Sequence, residues 1–269
     1  MLRAQDAQEQ CICVLFFFLP PDLMMTKFEL YARATVFWIF HVVSLTLIVL
    51  ALMLTFPFSF RIRYATGSSW AKFNGILLRY ICKLDYRVEG IENIPQGAAI
   101  ALCKHQSTWE TLMLQKILPP QHWVAKRELL FVPVFGWGLA LLETIAIDRS
   151  AGRQAMEQLV ERSKIKLDQG RWIVIFPEGT RVNPGAKQRY KLGGAVLASQ
   201  VDYPVVPIAH NAGEFWPKHS FIKYPGSITV RIGKPIFYKG RKPEEIMREV
   251  ETWIETQGAE ISDRSRWSR

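Results

Sequence analysis

The sequence predicts an α/β fold, a mixed sheet flanked by helices, behind an N-terminal membrane-embedded helix or two-helix hairpin. Three observations point there. Residues 98–103 (AAIALC) and 172–176 (WIVIF) are short continuous apolar runs of the kind found in strands covered on both faces. Helical patterns alternate with them: residues 150–169 gather Met156, Leu159, Val160, Ser163 and Leu167 on one face, and residues 243–257 open with a proline followed by Glu244 and Glu245. Residues 35–60 hold 26 positions without Asp, Glu, Lys or Arg, bracketed by Arg33 and by Arg61 and Arg63.

The first 23 residues fit none of these elements. Their apolar stretch, 11–19, is too short to span a bilayer, and its amino flank carries Asp6 and Glu9 where a signal peptide needs basic residues. Met24 and Met25 stand directly before the basic flank of the long apolar run, and translation is expected to start there.

As a helix, the 26-residue run is about 39 Å long at ~1.5 Å per residue, more than the ~30 Å hydrocarbon core requires. It either spans with tilt or bends near Pro57 into one arm of a hairpin seated in a single leaflet. The second arm is residues 70–83, where Trp70, Phe73, Leu77 and Ile81 fall at helical spacing and Lys72, Arg79 and Lys83 lie elsewhere on the wheel. The same pattern also suits a helix packed on the soluble part of the chain. His41, inside the apolar run, suits helix packing or an interfacial place. Lys27 and Arg33 precede the run and Arg61, Arg63, Lys72 and Arg79 follow it, which favours a cytoplasmic carboxyl side.

The formal charge of +10 and pI near 9.5 fit an anionic bilayer and anionic substrates. No basic motif interleaved with aromatics suggests nucleic acid. The four cysteines, 11, 13, 82 and 103, have neither zinc spacing nor a disulfide framework, as expected for a reducing compartment. No metal ligand set is evident.

Two polar clusters follow the apolar runs. His105 and Glu110 lie in KHQSTWE directly after residues 98–103. A neutral histidine takes a proton from an alcohol if a carboxylate holds its other nitrogen. Residues five apart lie ~140° round a helix, so the pair works only if His105 sits in the turn before the helix. Ser107 and Glu110 fit the capping box that starts such a helix, which is also the alternative reading of Glu110 as a cap partner alone. The second cluster, Phe176-Pro177-Glu178-Gly179-Thr180-Arg181, supplies a guanidinium for bidentate anion binding and a glycine that lets backbone approach a ligand. Its plainer reading is a turn with Glu178 and Arg181 paired to each other. In an open α/β sheet both clusters fall on the edge formed by the strand carboxyl ends.

Cys103, two residues from His105, raises nucleophilic catalysis, but a thiol closing a strand of small residues reads better as a small hydrophobe. No G-x-S-x-G elbow marks a serine hydrolase. His122, His210 and His219 show no evident partner.

The two clusters resemble the first and third sequence blocks of the glycerolipid acyltransferase family, closest to its bacterial lysophosphatidic acid acyltransferases. The family's first block is His-x4-Asp, and this chain departs from it with Glu110, whose arm is one methylene longer. The third block is matched by residues 176–181 without change. Two weaker blocks follow the family's order, Gly136-Trp137-Gly138 through Ile147-Asp148-Arg149 and Val206-Pro207-Ile208-Ala209, and Tyr190-Lys191-Leu192-Gly193-Gly194-Ala195 resembles the basic helix start between the last two blocks. The resemblance covers residues 84–240.

The resemblance implies acyl transfer from acyl-CoA or acyl carrier protein to the free hydroxyl of 1-acyl-glycerol-3-phosphate, giving phosphatidic acid for phospholipid synthesis, without cofactor or metal. It assigns His105 and Glu110 to catalysis and Glu178, Gly179, Thr180 and Arg181 to the substrate phosphate, with Arg149 and Lys191 as further phosphate ligands. For Arg149 the alternative is a pairing with Asp148, and for Lys191 a solvated helix end. Other readings are acylation of another lyso-lipid, such as a lyso-ornithine lipid, and a non-catalytic lipid-binding module of the same fold. The implied organisation is an extension at 1–34 with a mis-assigned start before Met24 and Met25, a membrane-anchoring segment at 35–83, a catalytic domain at 84–260 and a basic, disordered tail at 261–269. The implied place is the bacterial inner membrane, with the catalytic domain facing the cytoplasm.

Overall fold

The computed structural model describes residues 25–267. The expectations for the first 24 residues, the start site among them, lie outside these.

Helix α1, Lys27–Leu54, begins eight residues before the charge-free run. Its start is set by a capping box: Thr26 Oγ1 accepts the Glu29 amide at 3.2 Å, and the Glu29 carboxylate takes the Thr26 amide at 3.0 Å. Its 28 residues make it the one helix among the described residues long and apolar enough to cross a membrane. After a turn containing Pro57, helix α2, Phe60–Tyr80, runs back along it. The second arm therefore starts ten residues earlier than the pattern at 70–83 implied. Of the expected face, Leu77 is buried and Trp70 and Ile81 pack on the core, while Phe73 is exposed; Phe60, Tyr64, Gly67, Ala71, Asn74 and Leu78 are buried beside them. Small Gly67 and Ala71 permit the close approach that selects this face. Arg33 Nη1 donates to the Ile81 carbonyl at 2.8 Å, closing the far end of the hairpin on α1.

The rest of the chain adds β1 (Leu84–Glu89), β2 (Ile100–Cys103), α3 (Trp109–Ile117), β3 (Gln121–Lys126), α4 (Phe135–Leu141), β4 (Ile145–Ile147), α5 (Gly152–Asp168), β5 (Trp172–Ile175), α6 (Gly193–Val201), β6 (Val205–His210), β7 (Gly226–Ile232) and α7 (Pro243–Ile261). The seven strands form one sheet in the order β1-β7-β6-β2-β5-β3-β4. All neighbours pair parallel except β6 and β7, so the sheet is mixed. The central strand alternates between two cores, as period-2 geometry requires. Ala99, Ala101 and Cys103 join Trp109, Trp172 and the hairpin residues Ala71, Leu77 and Leu78, while Ile100 and Leu102 join Leu159, Leu197 and Ile254 of the opposite helices.

Glu143, at the end of α4, holds the hairpin to the sheet: it pairs with Arg63 of α2 and Lys166 of α5, and with Arg171 at 3.2 Å. The expected disordered tail is folded as far as residue 267. Buried Glu214 accepts the Ser262 hydroxyl, the Asp263 amide at 3.1 Å and the Trp267 indole at 3.2 Å. A polar composition looked solvated in sequence because the carboxylate that satisfies it lies some fifty residues away.

Candidate active site

Strands β2 to β6 run in the same direction, so the segments that follow them meet along one edge of the sheet. His105 follows β2, the 176–181 cluster follows β5 and Arg149 follows β4.

His105 lies in the turn before α3, and its Nδ1 is 2.8 Å from Glu110 Oε1. The same oxygen accepts the Gln106 amide at 2.8 Å and the Ser107 amide at 2.7 Å. Cap and catalytic readings of Glu110 are thus one arrangement: the carboxylate that satisfies the helix start also meets the histidine. The capping box is only half formed, because Ser107 Oγ accepts the Trp109 amide at 3.1 Å and donates to the Trp216 carbonyl at 2.6 Å. Burial pushes the Glu110 carboxyl up, but the neighbouring His210 and His105 rings and the Ser107 amide outweigh it and hold the group below its ordinary value. An ionised Glu110 accepts from His105, so the ring proton sits on Nδ1 and Nε2 carries the lone pair. The ring is stacked on Phe176 with centroids 3.9 Å apart and planes at 13°, and Phe176 stacks in turn on Trp123.

His210, without an evident partner in sequence, closes the far side of this pair. It is fully buried, with Nε2 3.9 Å from Glu110 Oε2. Its Nε2–H donates to the Lys104 carbonyl at 2.8 Å and its Nδ1 accepts the Ala212 amide at 3.2 Å, the pattern of a neutral ring. Burial pushes its pKa down accordingly. Only its position at the end of an apolar strand run could have flagged it. His122 is also buried, its Nδ1 3.1 Å from the Glu143 carbonyl, under α2 and away from His105. His41 packs on Phe37 and meets Asn74 Oδ1 through Nδ1 at 2.6 Å. Cys103 is fully buried, and burial pushes its thiol up, so it is no nucleophile.

The anion-binding candidates divide. Gly179 takes φ +72°, a conformation glycine adopts freely, and a Cβ there would lie 3.0 Å from Lys191 Nζ and 3.3 Å from Arg149 Nη1. Arg149 Nη1 donates to the Gly179 carbonyl at 2.5 Å. Arg181 Nη1 donates to Thr108 Oγ1 at 3.0 Å, tying the third block to the first rather than pairing with Glu178. Thr180 lines the cavity beside them.

Glu178 departs from the phosphate-binding expectation. Its carboxylate is buried and turned away from the cavity, 3.4 Å from the His105 amide and 3.7 Å from Lys104 Nζ, and burial pushes it up to about 7. A carboxylate in that place steadies the His105 backbone instead of meeting an anion. Lys104 also pairs with Glu255 of α7, which accepts the Tyr190 hydroxyl at 2.8 Å.

One cavity of about 370 Å³ joins these groups to apolar surface. His105, Thr108, Gly179, Arg149 and Arg181 line it together with Leu45, Ile48, Val49 and Leu52 of α1, Trp70 of α2 and Leu139 of α4. It can therefore hold a base, an anion and a hydrocarbon chain in one space.

A family model described as acyltransferase matches residues 85–211. The 1-acyl-sn-glycerol-3-phosphate acyltransferase of Pseudomonas aeruginosa is 45% identical over 209 residues, 77% of this chain and 81% of its own length. That of Saccharomyces cerevisiae is 34% identical over 165 residues, 60% of this chain and 54% of its own. In fold, the chain is similar to the crystal structure of the 1-acyl-sn-glycerophosphate (LPA) acyltransferase PlsC from Thermotoga maritima, with a TM-score of 0.75 at 23% identity, covering 89% of this chain and 99% of that one. By shared blocks, shared architecture and identity over most of its length, the chain belongs to the glycerolipid acyltransferase family.

Proposed function

We propose that the chain transfers a fatty acyl group from an acyl thioester, acyl-CoA or acyl carrier protein, to the free hydroxyl of 1-acyl-glycerol-3-phosphate, forming phosphatidic acid. The carrying observation is the single cavity where the His105–Glu110 pair, two arginines and an apolar channel meet.

With the acceptor hydroxyl at Nε2, His105 takes its proton as the oxygen attacks the thioester carbonyl carbon. Collapse of the tetrahedral adduct breaks the C–S bond, and the leaving thiolate takes the proton back, so the imidazole returns to neutral and no acyl-enzyme forms. Glu110 keeps the ring in its reactive tautomer and stabilises the transient imidazolium. A base so placed typically contributes ~10² to 10⁴-fold in rate. Arg149, Arg181 and Lys191 hold the phosphate, Gly179, with no Cβ to crowd Lys191 and Arg149, lets backbone approach it, and Thr180 adds a hydroxyl. Two cations at one glycine, Arg149 and Lys191, with Arg181 lining the same cavity as Arg149, favour a phosphate-bearing acceptor over a lyso-ornithine lipid.

The hairpin α1–α2 seats the cavity against a bilayer. Exposed Val43, Leu47, Leu50, Leu54, Phe56 and Phe58 suit hydrocarbon. The reading extends to a bacterial inner membrane with the sheet on its cytoplasmic side, on the strength of the flanking charge.

Membranes carrying the wild-type chain or His105→Ala, supplied with lysophosphatidic acid and a panel of acyl-CoA and acyl carrier protein donors, test this by mass spectrometry. Phosphatidic acid from the wild type alone is expected. Equal product from both would refute the role of His105, and product only from other lyso-lipids would refute the acceptor.

A further inference from the structure

We infer that the chain carries a second bilayer-embedded element, the segment 129–141 that turns into α4, and that lipid hydrocarbon covers its outer face. The inference rests on the membrane seating of the hairpin proposed above.

The segment sits in the groove between the two arms. A Cβ at Gly138 would lie 3.1 Å from Cγ2 of Val49 on α1, and one at Gly67 on α2 would lie 2.9 Å from Cδ1 of Leu142, just after α4. Glycines at both crossings thus bring α4 against α1 and Leu142, the residue that follows it, against α2. Val49 stands 14 residues into the charge-free run that begins at Thr35. At ~1.5 Å per residue that is about 21 Å along, well inside a ~30 Å hydrocarbon core. If the run is in lipid, α4 is carried there with it.

The side chains divide as such a wall requires. Leu129, Phe135, Gly138 and Leu139 line the cavity. Phe131, 73% exposed, and Trp137, 51% exposed, point away from it, with Val132 exposed between them. Irregular backbone enters a bilayer only if its polar groups are satisfied. Here Val132 N donates to Leu129 O at 3.3 Å, Gly136 N to Val132 O at 2.7 Å and Gly138 N to Val134 O at 3.1 Å, while Pro133 has no N–H to satisfy. Exposed Lys126, Arg127 and Glu128 precede the apolar residues, with Arg127 3.7 Å from Asp148, so the charged side chains stop where the apolar face begins. Continuity with the long apolar run of α1 favours lipid over a protein partner. The element would then stand between the acyl cavity and the bilayer from which its lipid substrate comes.

Nitroxide labels read the depth directly. Cys11 and Cys13 are replaced by Ser, and buried Cys82 and Cys103 stay unlabelled. Single labels go at Phe131→Cys, at Leu47→Cys on the exposed face of α1 and at Ile165→Cys on the exposed face of α5, in active protein bound to anionic phosphatidylglycerol vesicles. We expect oxygen to relax the labels at 131 and 47 severalfold more than a water-soluble nickel chelate does, and the reverse at 165. A label at 131 that follows 165 while 47 stays in lipid would overturn the inference, leave the hairpin reading intact and turn the patch over to a protein partner. Water exposure at both 47 and 131 would overturn the membrane seating itself. Trp137→Cys repeats the measurement should the label at 131 impair activity.

Discussion

Replacing Glu110 by Gln isolates the charge of the carboxylate from its role as an acceptor. Glu110 Oε1 takes three donors, from His105 Nδ1, the Gln106 amide and the Ser107 amide, at 2.7 to 2.8 Å. Those donors pin the carbonyl oxygen of a glutamine in the same place, so α3 keeps its start and His105 keeps its tautomer. What disappears is the negative charge opposite the imidazolium that forms as the acceptor hydroxyl is deprotonated. A hydrogen bond to a charged partner contributes ~1.5 to 3 kcal/mol. At ~1.36 kcal/mol per tenfold in rate, kcat is expected to fall ~10- to 150-fold. The assay is steady-state phosphatidic acid formation in mixed micelles with lysophosphatidic acid varied, alongside a melting curve. KM for lysophosphatidic acid should stay near the wild-type value, because Glu110 does not line the cavity. A folded Glu110→Gln enzyme whose kcat stays within about twofold of wild type would refute the reasoning and leave Glu110 as a helix cap.

Two further outcomes follow from the same geometry. Arg181→Ala removes a cation and the link to Thr108, so kcat/KM for lysophosphatidic acid should fall ~10- to 150-fold, carried by KM, with the acyl-donor KM unchanged. Lys at 181 should restore only part of this, since it cannot bind phosphate bidentately. Glu178, pushed from its ordinary 4.5 up to about 7 by burial, takes up a proton on folding between those values. Its contribution to stability is therefore full below the unfolded pKa and is lost as pH rises through about 7. Glu178→Gln should flatten that dependence and raise the melting temperature relative to wild type at pH ~8, where Lys104 keeps Glu255 as its partner. A wild-type curve that rises from pH ~5 to ~8 as steeply as the variant's would oppose this account.

Much of the site was legible because it is local in sequence. His105, Glu110 and the S-x-x-E pattern lie within one turn and the helix it starts, so their meeting follows from backbone geometry. The apolar runs ending at 103 and 176 are strands whose parallel pairing puts both clusters on one edge. Glu178 was misplaced because its side chain is aimed by the φ +72° turn at Gly179 and by Lys104, neither of which the motif reveals. His210 and Glu255 escaped notice because each meets the site across about a hundred residues or more, His210 at Glu110 and Glu255 at Lys104. The second arm of the hairpin was read ten residues too short because, after Phe60 and Tyr64, its buried face continues through Gly67 and Ser68, which carry no hydrophobic period.

The sequence by itself determined the fold class, the long apolar helix, the histidine–carboxylate pair and the cationic third block, because strand burial, helix capping and charge-free length are written in neighbouring residues. Only the tertiary structure decided which cations converge on Gly179, which carboxylate turns inward and that α4 packs on α1 with Leu142 on α2 to wall the cavity. Those are long-range choices, set by which side chains fit against one another when the sheet edge and the hairpin close together, and one-dimensional periodicity carries no record of them.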